Sequence, residues 1–412
     1  MEYVIIGNST AAVGCIEGIR SVDPEGAITV VASEPYHTYS RPLISYLLEG
    51  KTDGERMKYR PDSYYNEMGV KPKLGIKAVK LMPEEHKVVL EDGEELPYGK
   101  LLVATGSTPF VPSFEGLDTV EKKFTFLSLD DAKALEAALT PESRVLILGA
   151  GLIGLKCAEG IARRVKSIEV ADLASQVLPS ILDEAGAKRV QAYLEEQGLT
   201  FHLGDTAVKF QGNTAHLKSG GTVDFDVLVL AVGVRPNGSL VREAGGKVDR
   251  GILTDDAGLT SLPDVYAAGD CCESYDITSG ERRVLALLPN AYLQGECAGK
   301  NMAGGKLPLH QRRAHERHRF FRPAPDYRRQ LPGRKAGRSG WGQLQGLLCG
   351  ERAFEGVYPD RGLPGERRGL HGAHPGADAP FHGGLWPAAG KAPVYGLFGL
   401  EAAGAVRALK RK

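Results

Sequence analysis

The chain has 412 residues, of which 42% are hydrophobic and 25% are charged, and its formal net charge is zero. This length predicts two or three domains, and the 52 glycines fit a globular α/β protein with many glycine-rich turns. No apolar run approaches the roughly 20 residues that span a bilayer. The first residues form neither a basic stretch nor a cleavable apolar segment. A cytoplasmic protein without a membrane segment is therefore expected.

Six cysteines are spread along the chain without a CxxC pair or a cluster at the spacing of metal ligands. This pattern argues against a zinc site, an iron–sulfur site and a disulfide framework, so no bound metal is predicted. The cysteines are Cys15, Cys157, Cys271, Cys272, Cys297 and Cys349.

The first predicted element is a buried strand over Tyr3–Ile6 that ends in a glycine-rich turn and leads into a helix. Free N–H groups at the start of such a helix bind a pyrophosphate. The turn begins at Gly7 and reads GNSTAA, so Ser9 and Ala12 stand where the usual GxGxxG pattern has its second and third glycines. Alone this is a weak signal, and a simple strand–turn–helix is the alternative.

A carboxylate follows the second predicted strand, Ile28–Ala32. Glu34 lies just beyond this strand and 27 residues after Gly7. Because a carboxylate at that place accepts hydrogen bonds from both hydroxyls of a ribose, Glu34 is predicted to bind the first nucleotide.

A second glycine-rich turn is intact and predicts a second nucleotide beside the first. It follows a predicted strand over Val145–Leu148, precedes a predicted helix over Leu155–Arg164, and consists of Gly149, Ala150, Gly151, Leu152, Ile153 and Gly154. Two adjacent nucleotides imply electron transfer between them.

The acidic residue that accompanies this second turn is Asp172, which comes 23 residues after Gly149 and directly follows a predicted strand over Ser167–Ala171. Such a side chain hydrogen-bonds the 2′-hydroxyl of NAD and repels the 2′-phosphate of NADP. No arginine closely follows Asp172, so NADH is favoured over NADPH.

Three further segments complete a pattern: LLVATGSTP over 101–109, DVLVLAVGVRPN over 226–237 and TSLPDVYAAGD over 260–270. With the two glycine-rich turns, they resemble the pyridine nucleotide–disulfide oxidoreductase superfamily of flavoproteins. The resemblance implies an α/β fold with two Rossmann-like domains. An NAD(P)H-binding domain over 110–236 is then inserted between two parts of an FAD-binding domain, 1–109 and 237–308.

The resemblance also implies FAD contacts at the later motifs. In the family, the ATG segment returns the chain toward the FAD, and the late Gly-Asp places its carboxylate near the ribityl or pyrophosphate region. Gly233 is implied to lie near the nicotinamide cofactor. The helix that carries Asn290 and Gln294 is implied to point its N-terminus at the flavin pyrimidine. For Asp270, a helix N-cap is the alternative. The residues implied are Ala104, Thr105, Gly106, Gly233, Gly269, Asp270, Asn290 and Gln294.

The segment YSRPLISY over 39–46 contains no cysteine, so the thiol catalysis of disulfide reductases in this superfamily is excluded there. It resembles the RPxLS stretch of NADH-dependent rubredoxin and ferredoxin reductases and of the flavin part of nitrite reductase. Arg41 and Pro42 are implied FAD contacts, with a surface salt bridge as the alternative for Arg41. Relatives often carry Lys near Tyr46 and Glu at the position of Lys156, so the geometry at the nicotinamide end of the site stays open. A solvated helix residue is the alternative for Lys156.

The predicted function is an FAD-dependent oxidoreductase that passes hydride from NADH to FAD and electrons to an acceptor such as rubredoxin or ferredoxin. The cofactors supply the chemistry, so no catalytic side chain is assigned. An NADH oxidase or nitrite-reductase-like flavoprotein is the enzyme alternative. A redox-responsive FAD/NADH-binding protein and an inactive product of a frameshifted gene are the alternatives of other classes.

Residues 309–412 have a different composition, with no Ile, Thr, Asn or Met and with 15 of the chain's 28 arginines. Their charge balance is +11, from 19 basic and 8 acidic residues, against −11 for the first 308. The family's usual closing domain, which forms its homodimer interface, is therefore not expected.

A one-base step forward through permitted codons of Gln311–Arg322 allows a family-like segment, NAVPMNAIGFFG. We therefore hypothesise a frameshift near residues 307–310, with a natural basic disordered tail as the alternative. No nucleic-acid role is predicted.

Overall fold

Strands and helices alternate through residues 1–276 and 280–306, the part of the chain that the computed structural model describes. The expectations for residues 309–412 lie outside these described residues. The helices are α1 (Thr10–Arg20), α2 (Ile44–Leu48), α3 (Tyr64–Glu67), α4 (Leu129–Ala138), α5 (Leu152–Ile161), α6 (Glu184–Glu196), α7 (Ser239–Glu243) and α8 (Leu288–Met302). Three-residue 3-10 turns cover Arg41–Leu43, Pro83–Glu85 and Leu117–Thr119.

The strands of the first half are β1 (Glu2–Ile6), β2 (Ala27–Ala32), β3 (Val70–Leu74), β4 (Ala78–Met82), β5 (Lys87–Leu90), β6 (Glu95–Pro97), β7 (Lys100–Val103), β8 (Ser107–Pro109), β9 (Lys123–Thr125) and β10 (Arg144–Leu148). Those that follow are β11 (Ser167–Asp172), β12 (Leu199–Leu203), β13 (Ala207–Gln211), β14 (Thr214–Leu217), β15 (Thr222–Asp224), β16 (Val227–Leu230), β17 (Val234–Pro236), β18 (Ile252–Leu253), β19 (Val265–Ala267), β20 (Cys272–Asp276) and β21 (Glu281–Val284).

Two five-stranded parallel sheets carry the architecture. The first has the order β3-β2-β1-β7-β19, and the second has the order β12-β11-β10-β16-β9. In each, the first strand of a βαβ unit lies in the centre and the strand order reverses beside it. Ligands bind at such switch points, beyond the carboxyl ends of the strands. The α/β fold class with two Rossmann-like sheets is thus confirmed.

Buried side chains from both faces of the first sheet make separate cores. Tyr3 and Ile5 pack against α1 and α8 on one face. Val4 and Ile6 pack on the other face, toward the antiparallel meander β4-β5-β6. This alternation is the period-2 pattern of a strand buried on both faces.

Helices α1 and α8 touch backbone to backbone. A Cβ on Gly14 would lie 2.2 Å from the Tyr292 carbonyl oxygen, and one on Gly295 would lie 1.9 Å from that of Ala11. Glycines on both helices therefore permit a contact that any side chain would prevent. The contact holds α8 beside the first glycine-rich turn.

Most predicted bounds agree with the structure to within one residue, but the helix predicted over Leu155–Arg164 is displaced. It begins at Leu152, directly after its N-cap Gly151, and ends at Ile161. The Arg164 N–H donates to the Ile161 carbonyl at 2.8 Å, which closes a tighter turn there. The first turn of α5 therefore belongs to the glycine-rich motif itself.

None of the helices in the described ranges has the length and apolarity that a bilayer crossing requires. Across the same residues, no group of three His, Cys, Asp or Glu side chains is placed to hold a metal ion.

Candidate nucleotide-binding sites

The first glycine-rich turn lies at the carboxyl end of β1, at the switch point of the first sheet. Gly7 has φ +122°, and a Cβ there would lie 2.1 Å from the Ala104 carbonyl oxygen at the end of β7. Glycine is therefore obligatory at this close approach. Ser9 is the N-cap of α1, its side chain makes no capping hydrogen bond, and Ala12 is fully buried.

The segment Ala104–Gly106 is fixed to the chain's return from the second sheet. Thr105 donates its hydroxyl to the Asn237 carbonyl at 2.8 Å, and the Asn237 amide donates to the Thr105 carbonyl at 2.9 Å. Beside them, β8 and β17 pair antiparallel. The ATG and VGVRPN motifs thus meet where the chain passes between the two sheets.

Glu34 lies just beyond β2, with donors on both of its oxygens. Tyr39 donates its hydroxyl to Oε2 at 2.6 Å, and Arg41 forms an ion pair through Oε1. Burial alone lowers the pKa of Arg41, but the neighbouring Tyr39 and Glu34 raise it overall. Arg41 therefore remains a cation beside Glu34.

Arg41 begins the 3-10 turn Arg41–Leu43, which contains Pro42 and leads into α2. The salt bridge weighed as an alternative for Arg41 is present, but it engages Glu34, whose side chain is only 22% exposed. Arg41 also acts on Asp270 through its charge. Burial raises the pKa of Asp270, and the positive charge of Arg41 opposes this rise. One guanidinium thus pairs with Glu34 and exerts its charge on Asp270, the two carboxylates predicted to contact FAD.

Asp270 follows a turn that Gln294 holds from α8. The Gly269 N–H donates to Gln294 Oε1 at 2.7 Å, and Gln294 Nε2 donates to the Ser274 hydroxyl at 3.0 Å. Gln294 is 5% exposed, so its amide supports the Gly269–Asp270 turn from within the protein. Asn290 lies in the first turn of α8.

The second glycine-rich turn lies at the switch point of the second sheet. Gly149 has φ +114°, and a Cβ there would lie 2.3 Å from the Ala231 carbonyl oxygen. A Cβ on Gly154 would lie 2.0 Å from the Gly149 carbonyl oxygen. A Cβ on Gly151 would meet no atom within 4 Å. The first and third glycines are therefore required by the fold, whereas the second leaves open space at the start of α5.

Asp172 ends β11 and holds this turn. Its Oδ2 accepts the Ala150 N–H at 2.6 Å, and its Oδ1 accepts the Ala174 N–H at 2.7 Å. A carboxylate has about four lone-pair positions, so two are left for a ribose hydroxyl. Leu152 and Ile153 form the first turn of α5, and Leu152 is 50% exposed.

These residues fit dinucleotides at both edges. Gly106, Gly151 and Gly233 each border space that a Cβ would enter without contact. Three buried side-chain atoms have no hydrogen-bond partner within residues 1–276 and 280–306, namely His37 Nε2, Thr38 Oγ1 and Tyr98 Oη.

The sequence interpretation missed Asn8, Tyr65 and Asn237. Asn8 Oδ1 accepts the Tyr65 hydroxyl at 2.8 Å, and Asn8 Nδ2 donates to the Tyr36 carbonyl at 3.1 Å. Asn8 therefore ties the glycine-rich turn to the loop that follows Glu34. Its position between Gly7 and Ser9 was the available signal; Tyr65 carried none.

The cysteines behave as core residues. Cys15 and Cys157 are fully buried, and burial raises the pKa of both thiols. Cys271 and Cys272 are also buried, and both are free thiols.

Lys156 contacts Tyr46 at the packing of α2 against α5. Its ammonium lies 4.5 Å from the centre of the Tyr46 ring and pairs with Glu159. The side chain is 20% exposed, so the expectation that Lys156 might be a solvated helix residue is wrong. Lys156 and Tyr46 thus form a cation–π contact between α5 and α2.

A sequence profile of the family described as "Pyridine nucleotide-disulphide oxidoreductase" matches residues 1–295. The chain belongs to this family. The predicted family, the oxidoreductase class and the use of FAD and NADH are thereby confirmed for this pyridine nucleotide–disulfide oxidoreductase.

Curated relatives of this oxidoreductase include several NADH-linked proteins. It is 32% identical over 309 residues to the NADH-dependent phenylglyoxylate dehydrogenase subunit epsilon of Aromatoleum evansii, covering 74% of this chain and 72% of the relative. It is 33% identical to an NADH oxidase of Methanocaldococcus jannaschii, covering 74% and 70%. It is 30% identical to the rubredoxin-NAD(+) reductase of Pseudomonas putida, covering 75% and 81%.

Among solved structures, this oxidoreductase resembles the covalent putidaredoxin reductase–putidaredoxin complex. The TM-score is 0.69 at 25% identity, over 74% of this chain and 76% of that one.

Proposed function

We propose that this chain is an NADH:acceptor reductase that holds FAD at the first sheet and NADH at the second. Its electrons go to a small iron protein such as rubredoxin or ferredoxin. The observation that carries the proposal is that segments beyond the carboxyl ends of the two sheets touch: Arg41, after β2, donates to the Leu127 carbonyl beyond β9 at 3.5 Å. Nucleotides held at both edges are thus brought close to each other.

The same arrangement supports the domain boundaries that we propose. The first sheet takes strands from residues 2–103 and 265–267, and the second takes strands from 123–230. We therefore place the NADH-binding domain at 110–236, inserted between the FAD-binding parts 1–109 and 237–308. The chain leaves the FAD-binding domain after β8 and returns to it after β17, and these two strands pair with each other.

The chain's residues bind and orient the cofactors. Gly7, Ser9 and Ala12 open α1 toward the FAD pyrophosphate, and Glu34 accepts the ribose hydroxyls. Gly151 leaves room for the NADH pyrophosphate, and Asp172 accepts its 2′-hydroxyl. The remaining contacts proposed are Arg41, Pro42, Ala104, Thr105, Gly106, Gly149, Leu152, Ile153, Gly154, Gly233, Gly269, Asp270, Asn290 and Gln294.

FAD supplies the chemistry when it is bound, because it accepts a hydride and releases electrons in ones or twos. The protein sets the electrostatics around it. Arg41 is a cation whose charge acts on Asp270, and the start of α8 presents backbone N–H groups that favour negative charge.

The positions of the cysteines support an electron acceptor outside this chain. No cysteine lies between Cys15 and Cys157, so α2 carries no redox thiol. Within the described residues, the four buried cysteines, Cys15, Cys157, Cys271 and Cys272, are free thiols. Two similar proteins, a rubredoxin reductase and a reductase in complex with putidaredoxin, support a small electron carrier as the acceptor.

Anaerobic titration with NADH tests the proposal. We expect a yellow protein whose visible absorption bleaches with one equivalent of NADH and returns when rubredoxin or ferredoxin is added. A colourless preparation that takes up no added FAD would refute it. Bleaching that no acceptor reverses would favour the redox-responsive binding protein.

An NADH oxidase is the second candidate, favoured by the 33% identity to the Methanocaldococcus enzyme. Steady-state turnover in air with no added carrier distinguishes it. Oxygen consumption that equals the best carrier-dependent rate would select the oxidase.

A further inference from the structure

We propose that Tyr39 is a positioning residue of the FAD site. Its hydroxyl orients the Glu34 carboxylate toward the adenosine ribose and is itself held by the start of α4, at the edge of the second sheet. The inference rests on the proposed function, in which Glu34 accepts the ribose hydroxyls.

The Tyr39 hydroxyl has all of its hydrogen-bonding capacity in use. It donates its proton to Glu34 Oε2 at 2.6 Å, and it accepts from Leu129 N at 3.0 Å and from Arg41 Nη1 at 3.2 Å. A phenol has one proton and two lone pairs, so no partner is exchangeable with water. Tyr39 is 8% exposed, and burial raises its pKa. The hydroxyl therefore stays protonated and keeps one orientation.

The anchor on the second sheet's side is rigid. Ser128 caps α4 in a reciprocal capping box: Asp131 N donates to Ser128 Oγ at 3.0 Å, and Ser128 N donates to Asp131 Oδ2 at 2.9 Å. The Leu129 N–H is one of the donors at a helix start that have no partner within the helix. It uses Tyr39 Oη as its acceptor, so the position of α4 fixes the phenol.

The geometry leaves Glu34 ready for two ribose hydroxyls. Arg41 engages Oε1 and Tyr39 engages Oε2, which uses about two of the four lone-pair positions of the carboxylate. One position remains on each oxygen. The flexible guanidinium of Arg41 would permit rotation of the carboxylate, whereas the buried phenol prevents it.

Tyr39→Phe tests the role by binding rather than by turnover. With apoprotein, we expect the FAD dissociation constant to rise at least tenfold. Wild type should also bind FAD more tightly than its 2′-deoxyadenosine analogue, and this preference should fall toward parity in Tyr39→Phe. Calorimetric titration of both ligands measures the two effects, and a merely structural defect would weaken both ligands equally.

Tyr36→Phe is the matched control. Tyr36 lies on the same loop and also contacts α4, where its hydroxyl binds Asp130 and accepts from Lys133 Nζ at 3.1 Å. It has no contact with Glu34 among the described hydrogen bonds, so the preference for FAD over the analogue should stay within twofold of wild type. A loss equal to that of Tyr39→Phe would assign the effect to loop anchoring and overturn the proposal.

Leu129→Pro is a second variant in case Tyr39→Phe fails to fold. Proline is favoured at the first helical position, and the extended backbone of Ser128, with φ −104° and ψ 168°, is compatible with a following proline. The substitution removes the N–H that holds the hydroxyl and leaves Tyr39 and Glu34 in place. A partial loss of the preference supports the anchor, and an unchanged preference refutes it.

Glu34→Gln tests the ribose-binding role of Glu34 separately from the positioning role of Tyr39. If Glu34→Gln binds FAD and the analogue as wild type does, the ribose-acceptor assignment of the proposed function fails. If Glu34→Gln loses the preference but Tyr39→Phe keeps it, the proposed function stands and the positioning role of Tyr39 is wrong.

Discussion

At the scale of single residues, the glycines of the second motif are required for different physical reasons, and the sequence motif alone does not distinguish these reasons. Gly149 and Gly154 are required by backbone approaches of 2.3 Å and 2.0 Å, whereas a Cβ on Gly151 would meet no protein atom. A requirement for glycine at Gly151 must therefore come from the ligand. Substitution distinguishes the two causes.

Gly151→Ala is expected to change the free energy of unfolding by less than about 1 kcal/mol, the range of N-cap effects. It should weaken NADH binding at least tenfold, because the added methyl occupies the space proposed for the pyrophosphate. Gly149→Ala, in contrast, should destabilise the fold by more than about 2 kcal/mol. Urea unfolding and NADH titration measure both effects. Unchanged NADH affinity in Gly151→Ala would remove the nucleotide from this position.

Asp270 gives a pH prediction. Burial raises its pKa, so the folded protein binds this proton more tightly than the unfolded chain does. The stabilising contribution is complete below the unfolded pKa of about 3.9 and is lost as the pH rises through the folded value. Asp270→Asn should therefore gain stability relative to wild type between pH 4 and pH 7, by about 1.4 kcal/mol for each unit of elevation. Urea unfolding at both pH values, without FAD, checks this. A constant difference between the two proteins would contradict it.

At the scale of elements, the contact between α1 and α8 determines where the late motifs lie. Four glycines, Gly14, Gly18, Gly295 and Gly299, allow the two helices to touch through their backbones. This contact places Gln294 beneath Gly269 and brings the late Gly-Asp to the glycine-rich turn. The sequence showed a QG-bearing helix, but the glycines gain their meaning only when the partner helix is known.

Gly295→Ala should destabilise the fold by about 2 kcal/mol or more, because its Cβ would lie 1.9 Å from the Ala11 carbonyl and overpack the contact. FAD affinity should fall with it, since α8 carries the support for Asp270. Gly54→Ala is the control, because Gly54 is exposed and its Cβ would meet nothing within 4 Å. Thermal unfolding of both variants gives the comparison, and equal melting temperatures would refute the packing argument.

At the scale of the whole molecule, the similarity to the relatives described above covers about three quarters of the chain. The family profile stops at residue 295, and the three curated relatives described above match 74–75% of the chain. The rubredoxin reductase extends beyond the matched part, since the chain covers 81% of it. This limit agrees with the frameshift hypothesis for residues 309–412.

Resequencing the locus should reveal a one-base change near codons 307–310. The corrected reading frame should encode the family's closing domain, and the corrected protein should form a dimer in light scattering. Under this hypothesis the present chain does not encode that interface, so it should have a lower mass per particle. An unbroken frame encoding the same tail in related genomes would contradict the hypothesis.

The sequence alone determined the two Rossmann-like units, their order and most of the candidate site, because those features depend on local patterns. An apolar run, a turn that needs glycine at positive φ and a carboxylate after the next strand all lie within about 30 residues of one another. The positions of Gly7, Glu34, Gly149 and Asp172 at strand ends follow from this.

Only the tertiary structure decided which of these residues face one another across long separations. The Tyr39 hydroxyl meets the start of α4 90 residues later in the chain, and Gln294 supports a turn 25 residues before it. Arg41 comes to pair with Glu34, and Lys156 comes to lie against Tyr46. Such contacts depend on how the two sheets pack together, and a local pattern carries no record of the side chain that will lie opposite it.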